Sequence, residues 1–180
     1  MRFARGECGN LSREWTPVVF ILQGGGMFFT RFDSPLGEIL LTADEQGLTR
    51  LCLAADDQPD PEDAKRNDAA LADAREQLMG YFAGRRQHFS LSLAPGGSEF
   101  QREVWAALLR IPYGQTRTYG ELARRLGRDG AARAIGTANG ANPLPLLIPC
   151  HRVVAADGLG GYSGGPQLKR KLLALEGSLA

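Results

Sequence analysis

The 180-residue chain has 43% hydrophobic and 23% charged residues, the composition of an ordinary globular protein with room for one large or two small domains. Its longest apolar runs, residues 18–22 and 144–148, are far too short to cross a bilayer, and residues 1–26 lack the pattern of a secretory signal. The net charge of +1 hides an asymmetry that favours a polyanionic partner for the C-terminal half: residues 1–97 carry 10 basic against 14 acidic residues (net −4), and residues 98–180 carry 11 against 6 (net +5).

The cysteine pattern excludes a disulfide framework. Cys8, Cys52 and Cys150 are widely spaced and cannot all pair. No Cys-x-x-Cys or paired-histidine spacing predicts a zinc site, and we expect neither a metal nor a cofactor. A reducing cytoplasm is therefore the expected compartment, which also suits a protein that needs a free thiol.

Residues 1–26 are expected to form a poorly ordered extension. The triple glycine at residues 24–26 resembles a junction, and Met27 is a plausible natural start, because a domain-like pattern begins only at Phe28. The alternative is that residues 18–22 add an edge strand.

Residues 27–94 predict a small antiparallel-sheet domain packed with a helix. Three runs rich in β-branched, aromatic and leucine residues, at 28–33, 38–43 and 48–53, are separated by turn residues. A solvated loop is expected at 56–63, a helix at 69–82 and a further strand at 88–93. We interpret Cys52 as a buried small hydrophobe and His88 as a strand-face residue rather than a ligand. The domain boundary is placed at residues 94–97, where composition, charge and periodicity change.

Residues 98–180 predict a mostly helical domain. Ser98 with Gln101, and Thr118 with Glu121, have the spacing of capping boxes, so helices are expected to begin at both places. Phe100, Val104, Leu108 and Ile111 continue one apolar stripe along the first helix, and Leu122, Ala123 and Leu126 face inward on the second.

A third helix is expected at residues 131–139, and with the preceding helix it forms a helix-turn-helix. At about 100° per residue, Ile135 and Arg133 point roughly 200° apart, so a buried Ile135 leaves Arg133 at the surface. From spacing alone, the sequence is equally consistent with an ordinary pair of helices in which Arg133 is a solvated surface residue without a function.

The stretch at residues 147–154 carries the best candidate nucleophile. Cys150 stands beside His151, one of two histidines, and Arg152 supplies a fixed positive charge, while Pro149 opens a short helical turn. A base or a positive charge nearby favours the thiolate form of a cysteine. Downstream, the glycine-dense loop at 158–165 lets the backbone approach a ligand, although a flexible connector has the same composition. A final helix is expected from Pro166, with Leu168, Leu172 and Leu175 inward and Glu176 at its end.

With these motifs in place, the chain resembles the methylated-DNA–protein-cysteine methyltransferases, which repair 6-O-alkylguanine. The resemblance is strong from Ser98 to Gly177, mostly architectural from Phe28 to Leu93, and absent before Met27. The matching motifs occur in family order with family spacing: Phe100-Gln101-x-x-Val104-Trp105, Ile111-Pro112-Tyr113-Gly114, Thr118-Tyr119-Gly120-Glu121-Leu122-Ala123, Ala132-Arg133-Ala134-Ile135-Gly136, Asn142-Pro143, Pro149-Cys150-His151-Arg152-Val153, Tyr162-Ser163-Gly164-Gly165 and Leu172-Leu173-x-x-Glu176-Gly177.

The resemblance implies a fold and a chemistry. The fold is α+β: a ribonuclease H-like N-terminal domain at 27–94, then a winged helix-turn-helix-like domain at 98–180 for DNA binding and alkyl acceptance. Cys150 would accept the alkyl group irreversibly, once per molecule. The implied supporting residues are a base acting through a water, a carboxylate that orients the base, a support for the turn and a proton donor: His151, Glu176, Asn142 and Tyr119.

The resemblance also implies how DNA is bound. Arg133 would fill the space of a nucleotide flipped out from the minor groove, with Tyr119, Ala132 and Gly136 also at the DNA. Val153, Tyr162 and the Ser163 backbone N–H would surround the flipped base. The expected partner is double-stranded DNA carrying 6-O-alkylguanine, with activity on 4-O-alkylthymine left open, and the protein is expected to be monomeric, cytoplasmic and without membrane contact.

Three other readings compete with this one. A non-catalytic relative that senses alkylated bases lacks the cysteine, which is present here. The function of a helix-turn-helix regulator does not require Cys150, His151 and Glu176 together. The function of a thiol hydrolase does not require Arg133 in a helix-turn-helix.

Overall fold

A computed structural model describes residues 25–54 and 57–179 of the chain. The alternative strand at residues 18–22, and all of the expected extension at 1–26 except Gly25 and Gly26, lie outside the described residues.

The N-terminal sheet is built on the predicted meander. Strands β1 (Met27–Ser34), β2 (Gly37–Asp44) and β3 (Gly47–Cys52) pair antiparallel in chain order. Gly37 and Gly47 have φ values of +95° and +147°, which L side chains rarely adopt, so the two tight turns need glycine. Residues 39–43 of β2 are all buried: Ile39 and Leu41 are completely buried on one face of the sheet, and Leu40 and Thr42 are buried on the other.

Two features of this sheet differ from the prediction. A fourth strand, β4 (Ala64–Arg66), pairs parallel to β1 at the sheet edge, and its three residues are too few and too polar to show a periodicity. The predicted strand at 88–93 is wrong, because this segment meets β3 only at the Leu48–Leu93 bridge. Elsewhere it bonds to a side chain: the Ser90 N–H donates to Gln77 Oε1 at 2.8 Å.

Helix α1 (Ala72–Phe82) covers one face of the sheet and begins three residues later than predicted. It buries Ala74, Leu78 and Tyr81, the last two completely. Strands β1–β4 and helix α1 form what we call the N-terminal unit.

The C-terminal unit consists of helices α2 (Glu99–Leu108), α3 (Tyr119–Arg125), α4 (Ala132–Gly140) and α5 (Gly165–Leu175) with two short strands. Both predicted capping boxes are present, each with reciprocal hydrogen bonds. Strands β5 (Arg117–Thr118) and β6 (Val153–Val154) pair in parallel, which ties the start of α3 to the residues after Cys150. The α+β architecture is therefore confirmed.

One hydrophobic core runs through both units. It joins Leu78 and Tyr81 of α1 to Val104 and Leu108 of α2, and it continues to Leu172 of α5. Leu175, predicted to point inward, is 36% exposed, so that prediction is wrong; Leu173 is buried in addition to Leu172. The longest helices in the described part of the chain have 11 residues, and none is long and apolar enough to cross a membrane.

Candidate active site around Cys150

Cys150 opens a 3₁₀ helix, Cys150–Arg152, that follows the buried Pro149. The turn before it is braced by Asn142, whose Nδ2 donates to the Ile148 carbonyl at 2.8 Å while its Oδ1 accepts from the Leu144 N–H at 3.0 Å. The sheet edge helps to hold this turn, because the Leu51 N–H donates to the Pro143 carbonyl at 2.8 Å. The thiol is thus placed by a loop that is largely apolar and held by hydrogen bonds from Asn142 and from the sheet edge.

The thiol is buried, with 2% of Cys150 exposed. Burial raises the pKa of Cys150, because a low-dielectric surrounding disfavours the thiolate. The Asn142 side chain, the Cys150 amide and the Tyr162 hydroxyl, together with the charge of Lys169, act to lower the pKa of Cys150. A base is therefore needed to form the thiolate, and four groups are placed to stabilise it once formed.

His151 is that candidate base. It is fully buried, and its Nε2 lies 2.8 Å from Glu176 Oε1. Burial lowers the pKa of His151 even though Glu176 acts to raise it, so the neutral ring is favoured. Because a carboxylate can only accept, Nε2 carries the proton, and Nδ1 is left as the basic nitrogen. His151 Nδ1 is buried and has no hydrogen-bond partner among the described residues.

Glu176 lies at the centre of a dense hydrogen-bond network. Arg152 donates from Nε to Oε2 at 2.9 Å and from Nη2 to Oε1 at 3.0 Å, a bidentate pair. The Tyr81 hydroxyl donates to Oε1 at 2.7 Å, and the Gly114 N–H donates to Oε2 at 3.2 Å. Burial alone would raise the pKa of Glu176, but the hydrogen bonds and charges of His151 and Arg152 lower it to about 2. The carboxylate is therefore ionised at any working pH.

Sequence reasoning missed Lys169 of α5. Its ammonium group is fully buried and donates to the carbonyls of Val153, Leu159 and Gly161 at 2.6, 2.5 and 3.1 Å. Burial lowers its pKa to about 8, while the charge of Cys150 acts to raise it. Lys169 thus ties the residues after the thiol to the glycine loop. The i, i+3 spacing of Lys169 and Leu172 on an amphipathic helix was the only signal for this inward position.

We expect the Lys169→Met substitution to lower the free energy of unfolding by about 3 kcal/mol, because one buried and two partly buried carbonyls lose their donor. Lys171→Met is the matched control, since Lys171 is exposed on the same helix. Urea denaturation at pH 7 measures both proteins. Equal stability of the two variants would contradict a structural role for the buried ammonium group.

A cavity of about 210 Å³ brings together four of the residues predicted for the site, Tyr119, Gly136, Tyr162 and Ser163, although Cys150 is not among the residues that line it. The Tyr119 hydroxyl donates to the Gly161 carbonyl at 3.4 Å. Burial raises the pKa of Tyr119, and a charge on Cys150 raises it further, so the phenol keeps its proton. Gly160, at φ +68°, lies so close to Tyr119 that a Cβ would meet the ring at 3.1 Å, which explains why glycine stands there.

Asn139, which the sequence reading did not single out, also lines this cavity. It is buried on α4, and its Nδ2 donates to the Cys150 carbonyl at 3.3 Å. Helix α4 is thereby connected directly to the residue that carries the thiol. Val153, by contrast, does not line this cavity; its side chain is fully buried and its carbonyl accepts from Lys169.

The outer face of α4 is separate from the cavity. Ile135 is fully buried and Arg133 is exposed, as the helical spacing predicts. A shallow surface hollow at the start of α4 is lined by residues that include Ala132 and Arg133. Arg124, Arg125 and Arg128 are exposed on and after α3, and Arg128 pairs with Glu103 at 2.7 Å.

Comparison with known proteins matches both units to one family. Residues 27–95 match the model for "6-O-methylguanine DNA methyltransferase, ribonuclease-like domain", and residues 99–178 match "6-O-methylguanine DNA methyltransferase, DNA binding domain". The predicted fold class, a ribonuclease-like domain followed by a DNA-binding domain, is thereby confirmed.

Individual relatives align with this chain over nearly their whole length. The chain is 46% identical over 155 residues to the methylated-DNA–protein-cysteine methyltransferase of Methanosarcina acetivorans, covering 84% of this chain and 99% of the relative. It is 49% identical over 146 residues to that of Mycolicibacterium paratuberculosis, covering 80% and 88%. Among solved structures it is similar to the Mycobacterium tuberculosis O6-methylguanine methyltransferase, with 44% identity, a TM-score of 0.77 and coverage of 86% and 94%. The M. tuberculosis OGT in complex with DNA gives 45% identity, a TM-score of 0.78 and coverage of 84% and 93%.

Proposed function

Because the chain belongs to the family of methylated-DNA–protein-cysteine methyltransferases, we propose that it repairs DNA by moving the alkyl group of 6-O-alkylguanine irreversibly to Cys150. Membership makes it a DNA-repair methyltransferase and makes DNA its partner. The observation that carries the more specific proposal is the buried set of thiol, neutral imidazole and ionised carboxylate at Cys150, His151 and Glu176.

In the proposed first step, His151 Nδ1 takes the thiol proton through a water. Glu176 holds Nε2–H, so the ring presents its basic nitrogen and the resulting imidazolium faces a carboxylate. Asn142 supports this step twice, because it braces the turn before the thiol and its side chain favours the thiolate. The chemistry follows the logic of nucleophile, base and orienting acid.

In the second step, the Cys150 thiolate attacks the alkyl carbon. The sulfur–carbon bond forms as the carbon–oxygen bond to the guanine 6-oxygen breaks, and the electron pair of that bond passes into the guanine. Tyr119 donates a proton toward the ring, so a neutral guanine leaves, a better leaving group than its anion, and the proton that His151 took from the thiol restores the Tyr119 phenol through water. The Ser163 backbone N–H binds the 6-oxygen and Tyr162 forms a wall of the pocket. Three of these residues, Tyr119, Tyr162 and Ser163, line one cavity, which supports their assignment. Val153, which is fully buried, does not line this cavity.

The reaction ends with a thioether at Cys150, which has no water-labile bond to reset it. Each molecule should therefore act once. The test is the mass of the intact protein before and after incubation with an oligonucleotide that carries 6-O-methylguanine. One added methyl group per molecule, and never a second, is the expected result.

We also propose that the nucleotide is flipped out of the duplex from the minor groove. Arg133 is exposed on the second helix of the helix-turn-helix, where its guanidinium is free to fill the vacated space. Flipping costs a few kcal/mol, and the degenerate minor-groove pattern suits a repair protein that must accept any flanking sequence. Gly136 borders the base cavity and Ala132 the outer hollow, which supports their assignment as DNA-contacting residues of α4.

We expect the Arg133→Ala substitution to slow repair of duplex DNA by about tenfold or more, while transfer from the free 6-O-methylguanine base changes little. The reason is that only the duplex substrate needs a group to replace the extruded nucleotide. Single-turnover rates on both substrates measure the difference. Arg85→Ala, an exposed arginine of the N-terminal unit, is the control. Equal losses on both substrates would show that Arg133 does not serve extrusion.

Three further properties belong to the proposal. The protein acts as a monomer in a reducing cytoplasm, where Cys150 stays a thiol. The chain divides into domains at 27–94 and 98–180, and the two family matches, which end at residue 95 and begin at residue 99, support that division.

A further inference from the structure

We propose that Tyr81 of helix α1 is a positioning residue for the acceptor site, whose hydroxyl orients Glu176 and weakens the hold of Glu176 on His151. The inference rests on the proposed function, in which His151 is the base for Cys150. Tyr81 is fully buried, and its hydroxyl donates to Glu176 Oε1 at 2.7 Å across 95 residues of sequence. The N-terminal unit therefore supplies a group to the network behind the thiol.

The carboxylate oxygen that Tyr81 contacts is the one that His151 uses. Oε1 accepts from His151 Nε2 at 2.8 Å, Arg152 Nη2 at 3.0 Å and the Tyr81 hydroxyl at 2.7 Å. Donors on one oxygen share its negative charge, so each weakens the attraction felt by the others. Removing the Tyr81 hydroxyl should therefore strengthen the bond between Glu176 and His151 Nε2–H.

In the hydrogen bond between Tyr81 and Glu176, the Tyr81 hydroxyl is always the donor, whatever the pH. Glu176 is held ionised and can only accept. Burial first, and then the charge of Glu176, raise the pKa of Tyr81, so its hydroxyl stays protonated. Tyr81 thus acts as a permanent donor, and His151 responds to its presence or absence.

Other groups around His151 set the background for this effect. Glu176 on α5 acts to raise the pKa of His151, and Arg152 and Lys169 act with burial to lower it. Removal of the Tyr81 hydroxyl leaves burial and the charges of Arg152 and Lys169 unchanged, but it makes Glu176 a stronger acceptor for His151 Nε2–H than in the wild type. The pKa of His151 is then expected to rise.

The Tyr81 ring is held by packing that does not need the hydroxyl. Its centroid lies 5.6 Å from that of Phe82, 5.5 Å from that of Phe89 and 6.1 Å from that of Tyr113, two of the three pairs edge-on. Phenylalanine keeps these contacts, so Tyr81→Phe removes the donor and little else. Tyr113→Phe is the matched control, because the Tyr113 hydroxyl donates to the Leu175 carbonyl rather than to the Glu176 carboxylate.

The experiment compares wild-type, Tyr81→Phe and Tyr113→Phe proteins by NMR and by single-turnover methyl transfer. In Tyr81→Phe the His151 Nε2–H resonance should move downfield, and His151 should titrate about 0.5 pH higher. On the acid side of the pH–rate profile, methyl transfer should slow by about threefold, because a pKa of His151 that is about 0.5 higher leaves about a third as much neutral base. His88, the other histidine and exposed, gives a reference signal that should not move.

An unchanged Nε2–H resonance with an unchanged pH–rate profile in a folded Tyr81→Phe protein would overturn the inference. If Tyr81 has only a structural role, Tyr81→Phe should lower the melting temperature of the protein without changing the Nε2–H resonance or the pH–rate profile. If Tyr81→Phe does not fold, 3-fluorotyrosine placed at residue 81 is a stronger donor that keeps the wild-type contacts, and it should shift both readouts the opposite way. Absence of transfer by the wild-type protein would instead refute the proposed function, while the NMR comparison would still test Tyr81.

Discussion

The Cys150→Ser protein should take up no methyl group from DNA that carries 6-O-methylguanine. A serine hydroxyl in the same buried position is hardly ionised, and His151 cannot turn it into a nucleophile comparable to a thiolate. Loss of the nucleophile alone should slow transfer by more than about 10⁴-fold. Peptide mass spectrometry after complete demethylation of the DNA in the wild-type reaction should place one methyl group on the peptide containing Cys150.

Two controls make this result specific. Cys52→Ser changes the half-buried cysteine of β3 and should transfer normally. Cys150→Ser should still bind DNA, because the exposed arginines of α3 and α4 are unchanged. A methyl group found on the Cys150→Ser protein, or an unmodified Cys150 peptide in the wild type, would refute the assignment of the acceptor.

Glu176→Gln should destabilise the protein by about 3 kcal/mol at pH 7. The carboxyl has an ordinary pKa of 4.5 and a pKa of about 2 in the fold, and each pH unit of that difference corresponds to about 1.4 kcal/mol. The cost has a structural origin, because the buried Arg152 loses its charged partner when the carboxylate is replaced by an amide. Urea denaturation at pH 7 gives the difference directly.

The pH dependence of Glu176→Gln has a definite sign. A carboxyl whose folded pKa is lowered stabilises the fold above its unfolded pKa, and that stabilisation is lost as the pH falls through the folded value. The gap between wild type and Glu176→Gln should therefore be full above about pH 4.5 and should close toward pH 2. Glu103→Gln, which breaks only the exposed pair with Arg128, should cost less than about 1 kcal/mol. A gap that stays constant down to pH 2 would mean that the ionisation of Glu176 contributes nothing to stability.

Local sequence rules predicted the parts of the fold that local interactions determine. The capping boxes at Ser98 and Thr118 satisfy the first N–H groups of their own helices, so their effect is readable within four residues. The segment at 88–93 has equally strand-like residues, yet a strand needs a neighbour along its whole length, and β3 offers it only one bridge. Strand β4 was missed for the converse reason, because its pairing with β1 outweighs its charged composition.

For the site, the chain itself placed the nucleophile, the base and Arg152 side by side at residues 150–152, and the family motifs added Glu176, Tyr119 and Arg133. What only the tertiary structure decided is which atoms meet. Glu176 reaches His151 Nε2 from 25 residues away and the Tyr81 hydroxyl from 95 residues away, and Lys169 connects the carbonyl of Val153 in β6 to two carbonyls of the glycine loop. The physical reason is burial: these polar groups leave water together and must satisfy one another, a requirement that depends on packing between distant segments and leaves no periodic pattern along the chain.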